Sequence, residues 1–412
     1  MSSIDSLMPQ DVAFKAENAG VIKANLDFGS TLMLALLAGA FIGFGAVFST
    51  TVMTGNGLDG AVKIPFGLMR LLGGSVFCLG LILVTIAGAE MFTGNVLLIM
   101  AAASRKISAL RLLRNWGIVF LGNFIGACAT AYLVYRTGQH TLMEGQVGLT
   151  ALKIAEAKCQ LDFSQALLRA IFCNVLVCLA IWLSFSGRTA IDKVAVILFP
   201  ITAFVTSGFE HSVANMYFIS VALFIKDGVD PSFWTAVGAN PESFGHLTWG
   251  QFLLGNLLPV TLGNTIGGIA VGLMYWAIYC RSNIMLRADD TELLKRLTQD
   301  GRRQSKRIDA EGMVTLTFGG HTFHGRLKNL AQHGVKAEFY AAQGLPVVLD
   351  SVALDLNLDD GKLKLQNLVG TVVNSNTGKN LMGRDFFSYS IKFTTVNDEA
   401  GKAIRQFLEK LA

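Results

Sequence analysis

The sequence predicts an all-α polytopic membrane domain of six spanning helices, followed by a small six-stranded β-barrel. Three observations lead there. Of the 412 residues, 52% are hydrophobic and only 15% charged, with mean hydropathy +0.49, more apolar than a domain in water tolerates. The apolar excess stops near Arg281, beyond which Lys, Arg, Asp and Glu interleave with short apolar runs. Within the apolar part, two sequence patterns recur in the same order in its two halves.

Residues 1–29 are polar and mixed in charge, without the basic-then-apolar order of a cleaved leader. They are expected as a short amphipathic helix along the cytoplasmic surface of the bilayer. A span needs roughly 20 apolar residues, and six segments satisfy this: 31–53, 66–101, 112–135, 163–185, 194–225 and 252–279. The second and fifth are too long for one straight helix. Each is interrupted at a Gly-rich polar site, "AGAEMFTGN" and "SGFEHSVAN", and reads as two half-helices joined by irregular backbone. The loop "SRKISALRLLR" holds Arg105, Lys106, Arg111 and Arg114 with no acidic residue, and "SGRTAIDK" holds Arg188 and Lys193. The excess of positive charge places both loops in the cytoplasm, and with them both termini and the polar C-terminal domain.

The recurring patterns are Gly88-x-Glu90-x4-Asn95 against Gly208-x-Glu210-x4-Asn215, and "GNFIGA" from Gly122 against "GNTIGG" from Gly263. One such match among Gly-rich helices is weak evidence; two in register indicate an inverted 3+3 repeat. Three spans per repeat is an odd number, so the halves insert with opposite topology and their broken helices meet near the midplane. Irregular backbone at that depth survives only where it is buried in protein or lines a cavity. Glu90 and Glu210 therefore read as carboxylates accepting backbone N–H groups freed at the breaks. His211 has no counterpart, the other repeat having Met91; an ionisable group inside a membrane generally faces a pathway.

Five cysteines, Cys78, Cys128, Cys173, Cys178 and Cys280, lie in or at the ends of apolar segments, and Cys159 falls in a polar loop, with no CxxC pair. Neither a disulfide framework nor a zinc site follows. The sequence also holds no nucleophile motif or phosphate loop, so nothing in it points to an enzyme. After Arg281 a helical linker, "RADDTELLKRLTQDGRRQSKR", leads into "MVTLTF", "HTFHGRL", "GVKAEFY", "SVALDLNL", "KLKLQNLVGTVV" and "FSYSIKF". Six short alternating strands separated by Gly, Asn and Asp turns indicate a small barrel, closed by the amphipathic run "NDEAGKAIRQFLEKL".

These residues resemble two known families. "AIFCNVLVCLA", 170–180, fits a signature of the formate/nitrite transporter family without exception, while "GAEMFTGN" fits the other signature with Met91 for the usual Leu and Thr85 for an aliphatic residue. "SGFEHSVANM", "FWTAV", "FGHLT" and "LLPVTLGNTIGG" are similar to the formate-channel branch. The resemblance implies a homopentamer in the bacterial cytoplasmic membrane, each protomer in contact with lipid and with its own aquaporin-like pore for formate, and neither an ATPase nor a redox cofactor. Nitrite, hydrosulfide or another small monovalent anion stays open as substrate. It further implies His211 as the central pore histidine, Thr93 as its hydrogen-bond partner, Asn174 as a pore-lining amide and Lys158 as the vestibule lysine that draws anions. Phe77 and Phe204 match the outer constriction, and Leu81, Met91 and Phe92 the inner one. A solvated loop lysine and plain helix packing are the alternatives for these positions.

Physics makes that arrangement intelligible. A carboxylate-sized anion entering a medium of low dielectric pays several kcal/mol even after relaxation, so dry rings block the ion but not the neutral acid. His211, hydrogen-bonded to Thr93 and Asn174, would either lend a proton or stabilise the anion. The tail, with "RRQSKR" and "RLKNLAQHGVKAEF", resembles the PilZ domain, a receptor for cyclic di-GMP. That implies the nucleotide as a regulatory ligand of Arg303 and Arg307, whose planar guanidinium groups stack on guanine and pair with phosphate, and of Asn329 and Gly334. Ala331 stands where the PilZ motif has serine. The domains expected are 1–29, a channel domain 30–281, a linker 282–307 and a PilZ-like domain 308–412. A receptor that reports anion occupancy to the PilZ-like domain is the alternative class. No nucleic acid polymer is expected as partner.

Overall fold

A computed structural model describes residues 6–55, 63–281, 308–309, 312–318, 321–339, 350–358, 363–379, 385–395 and 398–411. The chain divides into two compact units, Met1–Asn283 and Ile284–Ala412.

The described residues of the first unit form helices and the turns between them. Helix α1 (Pro9–Ala24) precedes α2 (Phe28–Met53), which starts where Asp27 accepts the backbone N–H of Ser30 at 2.9 Å, a side-chain cap for an otherwise orphaned donor. Helix α3 (Phe66–Ala87) stops at Gly88, whose φ of +81° is left-handed, the usual glycine stop. The chain restarts as α4 (Phe92–Asn95), a 3-10 turn (Val96–Leu98) and α5 (Ile99–Ala103). Then follow α6 (Ala109–Arg136), α7 (Gln146–Cys159) and α8 (Phe163–Ser186). Helix α9 (Ala190–Thr206) opens with a Thr189–Asp192 capping box and breaks before α10 (Ser212–Gly228); α11 (Pro231–Val237) and a π-helical turn (Gln251–Leu257) lead into α12 (Leu258–Tyr279). Among the described residues five helical segments are long and apolar enough to cross a bilayer alone, and a sixth candidate joins α10 to α11 through a bend of 114°; α9 breaks from α10 as α3 breaks from α4. Both expected breaks are present.

Close packing follows the repeat. Helix α2 lies against α6 and α8 against α12, and the last shared glycine of the two "GN" motifs is what allows it. A Cβ on Gly126 would stand 2.1 Å from the Leu36 carbonyl oxygen, and one on Gly267 2.3 Å from that of Ile171.

Two elements differ from expectation. Lys158 and Cys159 belong to the last turn of α7 and not to a loop, because Val147, Leu149, Leu152 and Ala155 bury a helical face. Helix α1 packs on the membrane domain through Val12, Ala13, Ala16, Gly20 and Ala24, and Lys15 donates to the Phe185 carbonyl at 2.9 Å; small residues replace the large apolar face of a surface-lying helix.

The second unit is a barrel of β1 (Ile308–Asp309), β2 (Gly312–Phe318), β3 (His321–Ala331), β4 (Gly334–Phe339), β5 (Ser351–Leu358), β6 (Leu363–Lys379) and β7 (Asp385–Thr395). All pairings are antiparallel, in the order β1-β3-β2-β5-β6-β7-β4, and β4 returns to β3 to close six strands. Strand β5 alternates exposed and buried residues throughout, as a strand with one face on a core must. Val314, Leu316, Phe339 and Leu358 fill the core, joined by Ala400 and Ile404 of α13 (Asp398–Leu411).

Candidate functional site

The two broken helices are built alike. At each break an asparagine from the "GN" motif satisfies the freed backbone. Asn123 Oδ1 accepts the Phe92 N–H at 2.8 Å, while its Nδ2 donates to the carbonyls of Ala35 and Glu90 at 2.8 and 2.9 Å. Asn264 Oδ1 accepts the Ser212 N–H at 2.9 Å, and its Nδ2 donates to the carbonyls of Ala170 and Glu210 at 2.8 and 3.0 Å. The glutamates, expected in that role, serve another. Glu90 accepts Asn95 Nδ2 at 2.6 Å and pairs with Lys23 at 3.0 Å. Glu210 accepts Asn215 Nδ2 at 2.7 Å and pairs with Lys158 at 3.0 Å. Asn115 and Asn256 complete the pattern, each accepting from the neighbouring asparagine, at 3.0 and 2.7 Å, and each donating to the carbonyl of that lysine, Lys23 or Lys158. A buried carboxylate needs a cation and donors together, and side chains meet that need here, leaving backbone repair to the amides. Sequence reasoning missed Lys23, Asn115, Asn123, Asn256 and Asn264; the "GN" repeat was the available signal for Asn123 and Asn264.

His211 is the N-cap of α10. Its Nδ1 accepts the backbone N–H of Ala214 at 3.0 Å, and its Nε2 lies 2.9 Å from Thr93 Oγ1. A backbone N–H only donates, so Nδ1 is unprotonated and the ring proton sits on Nε2, directed at Thr93. Thr93 Oγ1 then accepts from the ring and keeps its own O–H to donate. Asn174 makes no hydrogen bond to His211, contrary to expectation: its Nδ2 donates to the carbonyls of Thr93 and Asn264 at 3.2 and 2.6 Å, and its Oδ1 is buried without a partner. The amide therefore braces the Thr93 backbone against α12. His211, Thr93 and Asn174 are all almost wholly buried.

Cavities approach this centre from two sides. The outer one, about 510 Å³, reaches from Lys153 and Arg169 past Arg70 and Lys158 to Phe77, Phe204 and His211. Phe77 meets Phe204 edge-on with ring centroids 5.7 Å apart, and Phe204 stacks on His211 at 5.8 Å. The inner one, about 250 Å³, is lined by Lys15, Lys23, Lys193, Glu90 and Met91 among others. Burial, then the charges of Lys193 and Arg188, push the Lys15 ammonium below its ordinary value. Of the expected inner ring, Met91 lines the inner cavity and Leu81 is buried. Phe92 instead turns its ring to Trp116 and Phe120 of α6, at 6.4 and 5.3 Å.

In the barrel, Asn329 pairs with Lys336 beside the tight β3–β4 turn, and Ala331 faces Gly334 across it. A Cβ on Gly334 would stand 2.5 Å from the Ile391 carbonyl oxygen. Arg303 and Arg307 lie outside the described residues.

Comparison with known proteins agrees with this architecture. Residues 10–277 match the family model described as formate/nitrite transporter, and residues 301–410 the PilZ domain. The chain is 45% identical over 280 residues to the formate channel FocA of Escherichia coli K12, covering 68% of this chain and 96% of that protein. It is 40% identical over 273 residues to FocA of Haemophilus influenzae, covering 66% and 94%. A solved pentameric formate channel with formate bound superposes with a TM-score of 0.58 at 44% identity, over 61% of this chain and 97% of the other.

Proposed function

The chain belongs to the formate/nitrite transporter family, and from that premise we propose that it is a pentameric channel for formate, with one pore in each protomer. The observation that carries the reading is the Thr93–His211 pair, set where the two broken helices meet and reached by a cavity of about 510 Å³. The substrate named for the similar channels supports formate over nitrite or hydrosulfide.

The residues act as follows. Lys158 covers Glu210, so the carboxylate beside the path does not repel an incoming anion. Phe77 and Phe204 form the outer dry ring, and Leu81 and Met91 the inner apolar wall, past which a bare carboxylate is too costly to move. The anion takes a proton from water or a buffer acid in the cavity and crosses as the neutral acid. His211 holds its Nε2–H on Thr93, which leaves the Thr93 hydroxyl free to donate to a substrate oxygen. A neutral imidazole that surrendered that proton would become an anion in a dry pore, so His211 polarises Thr93 and is not itself the proton source. Asn174 positions Thr93 through its carbonyl.

In this reading the membrane domain is held with both termini in the cytoplasm, and the PilZ domain binds cyclic di-GMP through Arg303, Arg307, Asn329 and Gly334 and tunes the flux. A ligand shifts a channel only if it binds one pore state better than the other. The test is flux through the purified full-length protein in proteoliposomes, with formate, nitrite and hydrosulfide compared, with and without cyclic di-GMP. Formate flux that exceeds the others and responds to the nucleotide is expected; an inert pore that still binds formate would instead make the protein a receptor.

A further inference from the structure

The outer cavity is faced by a helix end of the wrong sign for an anion path. Helix α9 ends at Thr206, and Val205, Gly208 and Phe209 line the cavity. A helix C-terminus carries roughly half a negative charge, which repels an approaching carboxylate even though the Val205 carbonyl here also accepts the Gly208 N–H at 3.1 Å. Arg70, from the second turn of α3, lies across this end. Its Nη2 donates to the Val205 carbonyl and its Nε to the Thr206 carbonyl at 3.3 Å, while Thr206 Oγ1 donates back to the Arg70 carbonyl at 3.3 Å. The guanidinium also lines the cavity with Phe77, Phe204 and His211.

The charge balance distinguishes it from the neighbouring lysine. Lys158 is paired with Glu210 at 3.0 Å and leaves little net field. Among the described residues no carboxylate lies within ion-pair distance of Arg70, whose partners are carbonyls, so most of its positive charge remains. We propose that Arg70, with Lys153 and Arg169 on the same cavity, makes the outer mouth selective for anions, and that its own part is to cover the carbonyl end of α9 and to add positive charge above the Phe77–Phe204 ring. The inference rests on the reading of this pore as a formate path. Arg70 is a positioning residue for entry, acting before the dry ring and not at the Thr93–His211 pair. Focusing by like-signed charge in a low-dielectric cleft raises local ion concentration by about tenfold or more, and is weakened by salt.

The experiment measures initial formate flux in proteoliposomes for wild-type, Arg70→Gln and Arg70→Lys full-length protein, at sub-saturating and saturating formate and at low and high ionic strength. The glutamine variant is expected to lose about tenfold at sub-saturating formate, to approach wild type at saturation and to lose its salt dependence; lysine restores most of both. Glutamine flux equal to wild type at every concentration and salt overturns the proposal, as does an equal loss at all concentrations in both variants, which would make Arg70 only a clamp between α3 and α9. Should Arg70→Gln fail to assemble, Arg70→Cys treated with a cationic or a neutral thiol reagent carries the test on one folded protein. Recovery with the cationic adduct alone is expected, and equal flux with both overturns the idea. No formate flux in the wild type would strike the functional reading; normal wild-type flux matched by the variants strikes this inference alone.

Discussion

Replacing Lys158 by alanine leaves Glu210 with its charge and without its cation. The pair is 3.0 Å apart, with the glutamate side chain 4% exposed and the lysine 16%. At an effective dielectric near 20 the gross attraction is about 5 kcal/mol, partly offset by the cost of drying both ions, and removing one partner of a buried pair costs about 3–5 kcal/mol. Glu210 keeps Asn215 Nδ2 at 2.7 Å, so the lower end of that range, about 3 kcal/mol, is expected. The functional cost has a different origin: an uncovered carboxylate beside the outer cavity repels formate, and sub-saturating flux should fall about tenfold. Lys158→Ala combined with Glu210→Gln removes both charges and restores neutrality. The double variant should therefore conduct better than Lys158→Ala alone, recovering to within about threefold of wild type, again from the same focusing argument. The assay is formate flux in proteoliposomes, paired with thermal unfolding of each variant in detergent. If the double variant conducts no better than the single one, Lys158 acts as a bare cation and the charge-covering argument is wrong.

Other expectations follow from the same geometry. Asn264→Ala leaves the Ser212 N–H and the Glu210 carbonyl of the break without this amide, at about 1–3 kcal/mol each; with partial relaxation a total near 3 kcal/mol should appear as a lower unfolding midpoint, and Asn123→Ala should match it, while an unchanged midpoint for either would remove the amide from its role. His211→Phe takes away the N-cap acceptor and the partner of Thr93 and should abolish formate flux while the pentamer still elutes intact; undiminished flux at every pH would refute the part given to the ring. In the barrel, Gly334→Ala places a methyl 2.5 Å from the Ile391 carbonyl oxygen and should lower the barrel's unfolding midpoint by the equivalent of about 1–3 kcal/mol, measured by thermal melting of the full chain. Arg303→Ala with Arg307→Ala should remove the response to cyclic di-GMP without changing basal flux; a response that persists in the double variant would assign the nucleotide to other residues.

Hydropathy was enough to locate the spans, because a bilayer demands about 20 apolar residues wherever a helix crosses it, and the two Gly-rich interruptions were visible because each concentrates a carboxylate, an asparagine and glycines in the middle of an otherwise mainly apolar run. Local alternation likewise disclosed the barrel strands, each of which shows its two faces within a few residues. Helix α7 was hidden by its mixed composition: its buried face became evident only against the helices that cover it. Contacts between distant residues were beyond reach. Lys23 lies 67 positions from Glu90 and reads as an ordinary polar-segment lysine until α1 packs on the domain. The sequence reading pairs the Asn174 amide with His211, yet Asn174 faces the backbone of Thr93 and Asn264, 81 and 90 residues away. The tautomer of His211 depends on where α10 begins, since only the first free N–H groups of a helix can occupy Nδ1. Composition and period specify which segments form and which face each buries; which polar group satisfies which is decided when those faces meet, because a buried hydrogen bond depends on ångström-scale placement that no single segment contains.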